Sequence, residues 1–554
     1  MKKKFLTGII LASTTWLLAA CGGSGTQPTD TTKEQGKTQG TDTAEQVIEI
    51  GVPTEIVTID TIQATDKNTF TVLHQIYEGL YRLDHNSQPV PAIAKDVAIS
   101  DDGKEYVFTL REDAKWSNGE QITADDFVYA WKKLVDPDTG APNAYLLDNV
   151  ANSLAIRTEK QPVDDLGVSA PEPDQFKVVL EQPQASFLTL LSIVWLAPQN
   201  QSYVEEQDKD FGIDSEHALF NGPFILTEWE QGGDTWTLKK NPEYYRADEV
   251  KLSEVKGQTM KEENTGINLY QTGDIDLTKI SGQYVAELQD DPGFVSHSDI
   301  ANNFIDFNQK EGTPLANVHL RKAISLAIDK EGLAQNVLND GAKPLNGLIP
   351  HDLFTHPETK EEFRSYSGEY ALHDVKKAQK EWTEAQKELG KEITLSLLVS
   401  DDDSGRKVSE YVQNQLQENL EGLSIEIHQQ PKTNVNQSRR EKDYELSISG
   451  WLAGDNNLDI YFNLYVTDSA YNYAGYSNQS YDELTKAAKT VNANDVTKMF
   501  EDYKKAEKIL LEEDAAQVPL YQSASNYLIN PKIKEIGYPS YGCYFYLGDA
   551  YLEE

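Results

Sequence analysis

The chain has 554 residues, too many for one small hydrophobic core, so two or three lobes are expected. Its 90 Asp and Glu outweigh 50 Lys and Arg, a net charge of −40 that becomes more negative once the lysines at 2–4 are removed. Such a surface repels phosphate backbones, so no nucleic-acid partner is expected.

The first residues read MKKKFLTGIILASTTWLLAACGGSGTQPTD. Three lysines precede a mostly apolar run over 5–20, which suits a secretion signal and is short for a bilayer span. Its end, Leu18-Ala19-Ala20-Cys21, resembles the bacterial lipobox. That resemblance implies cleavage before Cys21 and a diacylglycerol on its thiol; the alternative is ordinary secretion with Cys21 incidental. Residues 1–20 are assigned to the signal peptide. Residues 21–45 hold no large apolar residue and read as a lipidated flexible tether. Two or more acyl chains would anchor the protein stably to the outer face of the cell membrane. The tether contains GKT at 36–38, but a P-loop's first glycine would fall at Thr31, so a nucleotide site is rejected. The other cysteine, Cys543, lies among Tyr541, Tyr544 and Tyr546 and reads as a small apolar core residue.

Order is expected to begin at QVIEIGV, a strand by alternation. NTFTVLHQIYEGLY follows, with Phe70, Leu73, Tyr77 and Leu80 at helical spacing. EYVFTLREDAKW reads as a strand and turn. TADDFVYAWKKLVD reads as a helix capped by Thr123 and Asp126, with Phe127, Trp131 and Leu134 on one face. In the second half ITLSLLVS, LSIEIHQQ and YELSISGW read as strands. RKVSEYVQNQLQENL between them reads as a helix with Val408, Val412, Leu416 and Leu420 in line. The alternation predicts an α/β fold with a mixed or parallel sheet covered on both sides. Ligands of such sheets bind beyond the strands' carboxyl ends, which directs attention to WLAGDNNLD after YELSISG.

Motifs for chemistry are missing. None of the nine histidines lies in HExxH, and there is no GxSxG, no CxxC and no GxGxxG opening a helix. DDDSG at 401–405 lacks the glutamate of a calcium loop at its twelfth position and reads as a solvated turn. No enzyme activity, cofactor or metal is expected.

Several long stretches carry a resemblance. YEGLYRLDHNSQPVPAIAKDVAISDDGKEYVFTLREDAKWSNGEQITADDFVYAWKKLVDP, NGPFILTEWEQGGDTWTLKKNPEYY, FIDFNQKEGTPLANVHLRKAISLAIDKEGL and VPLYQSASNYLINPKI resemble, in order, the extracytoplasmic solute-binding proteins of family 5. The likeness is strongest to oligopeptide-binding lipoproteins of Gram-positive peptide ABC importers. It implies a two-lobed hinged periplasmic-binding-protein-like fold (class II) with an additional inserted domain. Lobe I would comprise 46–85, 216–303 and 524–554, the inserted domain 86–215, and lobe II 304–523. The implied partners are an oligopeptide enclosed between the lobes and the importer's permease subunits, and the implied state is a monomer. Other members of the family bind nickel chelates, haem or oligosaccharides; a surface peptidase or adhesin is the more distant alternative.

The resemblance also implies site residues. A carboxylate shortly after a Gly-Trp pair takes the peptide's α-ammonium, which here points to Asp455 after Gly450-Trp451. Many relatives have one residue fewer in that interval, so Asp459 competes for the register, with a helix cap as its alternative role. Trp451 would line a side-chain pocket. Glu78 would face the cleft or sit as a surface charge at a helix end. Phe304 and Asp306 match an aromatic–acidic pair at the hinge strand, and Tyr145 and Tyr521 are further peptide-binding candidates. Arg439 would meet a peptide carboxylate or lie on a surface face beside Arg440.

Overall fold

The computed structural model describes residues 46–158, 160–453 and 456–554. The signal peptide, Cys21, the tether and Asp455 therefore lie outside the described residues.

One mixed sheet runs through the molecule. Its order is Leu423–Gln430, Ile393–Ser400, Leu446–Leu452, Phe294–Phe307, Gln517–Ile529, Leu277–Ile280, Val47–Val52, Glu254–Thr259, Thr235–Lys240 and Phe224–Thr227. The short strand Lys343–Pro344 adds to Gln517–Ile529. Pairing is parallel where helices cross over, as between Ile393–Ser400 and Leu423–Gln430 or Val47–Val52 and Glu254–Thr259, and antiparallel elsewhere. A separate four-stranded antiparallel sheet is built by Ala94–Ile99, Glu105–Leu110, Gln175–Val179 and Val168–Glu172, all inside 86–215.

The two longest strands, Phe294–Phe307 and Gln517–Ile529, lie side by side mid-sheet and pass between hydrophobic cores. At one end Tyr527 and Ile529 pack in a core with Ile48, Leu73, Trp131 and Phe224; at the other, Ile305, Phe307, Val518 and Leu520 pack with Leu395, Val412 and Leu416. A third core holds Ile300, Tyr461, Phe462, Tyr481 and Tyr503. The register between the two long strands shifts between Ser298 and Asn302, the signature of a bulge. Gln522, fully buried there, accepts from the His351 N–H at 2.8 Å and donates to the Asp299 carbonyl at 2.8 Å.

Local structure follows the sequence with two corrections. The helix over 67–76 opens at Asp66, whose carboxylate accepts from the Thr69 N–H at 2.8 Å, but it ends at Ile76 rather than continuing to Leu80. Tyr77 is already extended, and the Glu78 backbone is satisfied by the Asn221 side chain instead of a helical ladder, at 3.1 and 2.9 Å. Gly79 then passes so close to the Leu191 carbonyl that a Cβ would meet it at 2.8 Å. Second, DDDSG is a helix start rather than a solvated turn: Asp402 caps Asp403–Asn419 by accepting from the Gly405 N–H at 2.7 Å. The expected cap over 124–135 forms, with Asp126 accepting from the Thr123 N–H at 2.8 Å and Phe127, Trp131 and Leu134 fully buried. Cys543 is buried, and burial pushes its thiol up to about 12, as suits a core residue.

Candidate functional site

A cavity of about 420 Å³ lies where the two long strands cross the middle of the sheet. Lys67, Gln88, Thr189 and Tyr538–Tyr541 wall one side, Asp352–Thr355, Asn456 and Val496 the other, and His297, Ser298, Asp299, Ser525 and Tyr527 supply the floor. The strand bulge breaks the ladder at 299–301 and so frees Asp299 from the regular alternation beside His297 and Ser298. Lys67 pairs with Asp299 at 3.2 Å, and Ser525 Oγ donates to the same carboxylate at 3.0 Å. Asn456 directly follows Asp455, and its buried Oδ1 has no hydrogen-bond partner among the described residues. A space of this size, polar and open to solvent, suits a small or medium organic ligand.

The sequence-derived candidates fall into two groups. Phe304, Asp306 and Arg439 come together where the Phe294–Phe307 strand pairs with Leu446–Leu452, Phe304 opposite Ser449 and Asp306 opposite Ser447. Arg439 Nη2 donates to Asp306 at 3.0 Å and Nη1 to Ser449 Oγ at 2.7 Å; the guanidinium sits 5.6 Å from the Phe304 ring centre and 5.3 Å from that of Tyr473. Tyr465 donates to the second Asp306 oxygen at 3.1 Å. Burial raises the Asp306 carboxyl, opposed by the Arg439 charge and the hydroxyls around it. Arg439 is thus neither a surface residue nor unpaired. Trp451 stands opposite Asn302, edge-on to Tyr471 at 5.5 Å, with its indole N–H buried and without a partner among the described residues.

The other candidates are dispersed. Glu78 is 6% exposed, so it is not a surface charge. It lines a smaller void of about 50 Å³ with Tyr77, Arg82 and Tyr546 that shares His85, Tyr538, Pro539 and Tyr541 with the large cavity, and it accepts from the Tyr244 hydroxyl at 2.8 Å. Burial raises its carboxyl, against the pull of Tyr244, Arg82 and Arg246. Tyr145 is 42% exposed on the turn Ala144–Leu147. Tyr521 is buried in its strand, with its hydroxyl 3.5 Å from Ser404 and pushed up to about 12 by burial. Asp459 opens a short helix, and its carboxylate accepts from Asn463 at 2.6 Å and pairs with Lys489 at 3.4 Å.

The family model for bacterial extracellular solute-binding proteins, family 5, matches residues 88–473. This chain belongs to that family. Among its family 5 relatives, the dipeptide-binding protein of Lactococcus lactis is 31% identical over 531 residues, 93% of this chain and 96% of the relative. The oligopeptide-binding protein OppA of Bacillus subtilis is 29% identical over the full length of both. Two family 5 structures superpose closely: Listeria monocytogenes OppA bound to peptide, at TM-score 0.75 and 37% identity, and the pheromone receptor PrgZ, at 0.76 and 35%. Each likeness covers 92% of this chain and all of the other. The fold is therefore the two-lobed hinged α/β type of family 5.

Among the residues that line this cavity, Lys67, His297, Asp299, Ser525 and Tyr527 were not legible in the sequence as candidates. They come from segments up to 460 positions apart.

Proposed function

We propose that this chain is an extracellular receptor that encloses oligopeptides between its two lobes and delivers them to the permease of an ABC importer, held at the membrane by a lipid on Cys21. The observation that carries the reading is the 420 Å³ cavity walled by segments of both lobes and floored by the two crossing strands. It is supported by the relatives, named for dipeptide and oligopeptide binding, and by the peptide-bound likeness. On this reading the first lobe comprises 46–85, 216–303 and 524–554, the second 304–523, and 86–215 is inserted. Asp455, next to the cavity-lining Asn456, captures the peptide's ammonium. Backbone pairing plus one captured terminus holds many sequences with the same contacts. The chain binds rather than transforms its ligand, and acts as a monomer.

Native mass spectrometry of the purified protein tests this. Co-purified masses that fragment as short peptides are expected. A haem, nickel-chelate or oligosaccharide mass in their place would move the protein to another ligand class within the family.

A further inference from the structure

Between Tyr541 and Leu547 the chain passes from one hydrophobic core to another. Phe545 and Leu547 belong to the first core, with Ile48, Leu73 and Phe224. Tyr541, only 3% exposed, belongs instead to the third core, with Leu353, Phe354, Tyr461 and Phe462. On the lobe boundaries proposed above, Tyr541 comes from lobe I, and every other buried member of that core except Ile300 comes from lobe II. Leu83, also of lobe I, packs against the same core.

The residues after Tyr541 are fastened to lobe I. Gly542 turns the chain at φ +86°, and a Cβ there would meet His74 Nε2 at 3.1 Å, so the position calls for glycine. The Tyr544 N–H donates to Thr71 Oγ1 at 2.9 Å and the Leu547 N–H to Gln75 Oε1 at 2.8 Å, while Gln75 Nε2 donates to the Phe545 carbonyl at 3.0 Å. His74, Thr71 and Gln75 all lie on the helix Lys67–Ile76. On the other side of Tyr541, the Ser540 N–H donates to Ser87 Oγ at 3.0 Å. For the lobes to part, either this strap tears from its helix or the Tyr541 ring leaves the third core. Tearing would break three hydrogen bonds and uncover Cys543, Phe545 and Leu547, so withdrawing one ring costs less. Exposing a buried ring of that size still shifts an equilibrium by about tenfold or more.

We propose that Tyr541 is a bolt between the lobes: a lobe I side chain seated in the core of lobe II, whose withdrawal must precede the parting of the lobes and the entry of a peptide. The inference rests on the peptide-receptor reading and its lobe boundaries. The bolt consists of the chain's own residues, so its withdrawal is a property of the protein and is the same for every peptide. At high peptide concentration uptake is limited by that opening step.

Stopped-flow tryptophan fluorescence tests this on protein stripped of co-purified ligand, with alanine peptides of three, four and five residues as probes. In wild type the observed rate should level off with rising peptide concentration, at one plateau for all peptides that bind. Tyr541→Ala should raise that plateau about tenfold or more for each of them. Tyr541→Phe, which keeps the ring, should leave it within about threefold. Tyr541→Leu, which keeps the socket partly filled, should raise it by less than Tyr541→Ala and carries the test if Tyr541→Ala does not fold. Rates that climb linearly in wild type, or a plateau unchanged in both the Ala and Leu variants, overturn the bolt and leave the receptor reading standing. Plateau changes that differ more than about threefold between peptides also overturn it, because Tyr541 lines the large cavity and would then act as a ligand contact. Failure of every peptide to bind wild type overturns both readings.

Discussion

Arg439 and Asp306, 133 residues apart in sequence, form an ion pair at 3.0 Å with side chains 6% and 4% exposed. The pair ties the Lys432–Glu441 helix to the long strand that crosses the sheet. It also occupies the arginine that sequence likeness assigns to a peptide carboxylate. Arg439 therefore acts first by fixing Asp306, Ser449 and the Phe304 ring.

Breaking that pair should unsettle the fold more than removing it whole. Arg439→Met or Asp306→Asn alone leaves a buried group without its partner and should cost about 3–5 kcal/mol of stability. The double variant Arg439→Met, Asp306→Leu should cost less than the sum. Urea denaturation of the three variants measures this; single variants within about 1 kcal/mol of wild type would show that the pair is not a stabilising contact.

Lys330 gives a pH dependence. It is 2% exposed, donates to Asn346 at 3.1 Å and to the Ala371 carbonyl at 3.3 Å, and burial lowers its ammonium to about 7. In the unfolded chain its pKa returns to about 10.4, so between the two values the unfolded state binds more protons and stability rises with pH. The wild type should therefore gain up to about 1.4 kcal/mol per pH unit relative to Lys330→Met between about pH 7 and 9.5. Parallel stability profiles for the two proteins would refute the assignment.

Asp455→Ala should weaken peptide binding by roughly 30-fold to a few thousand-fold, since a cleft-bound ammonium would lose its partner, a cost of about 2–5 kcal/mol. N-acetylation of the peptide should produce a similar loss in wild type and little further loss in the variant. Asp459→Ala should instead lower stability with little change in affinity, because Lys489, Asn463 and Tyr503 surround that carboxylate. Calorimetric titration separates the two; a large affinity loss only in the Asp459 variant would transfer the role to Asp459.

Cys21→Ala should leave an unprocessed precursor or release protein to the medium. Fractionation of expressing cells, followed by mass measurement of the mature N-terminus, reads the outcome. A variant processed and membrane-held like wild type would dismiss lipid anchoring.

Much of the architecture was legible in the chain. Alternation in QVIEIGV and ITLSLLVS, and the spacing of Val408, Val412 and Leu416, mark strands and a helix because side-chain period follows backbone geometry directly. The Thr123–Asp126 cap was readable for the same reason: donor and acceptor lie within one turn. The ordered motifs from YEGLYRLDHNSQPVPAIAKDV to VPLYQSASNYLINPKI mark family 5 in the chain itself. Tertiary structure decided what depends on distant partners. The helix after Asp66 stops at Ile76 because Asn221, far along the chain, satisfies the Glu78 backbone. Asp306 and Arg439 pair because two elements distant in sequence meet in space. Asp299 meets Lys67 and Ser525 at the bulge between Ser298 and Asn302, a contact between three segments distant in sequence. Periodicity records which face of an element is buried, but it carries no information about which other element covers that face, and the charges of this site are set by that choice.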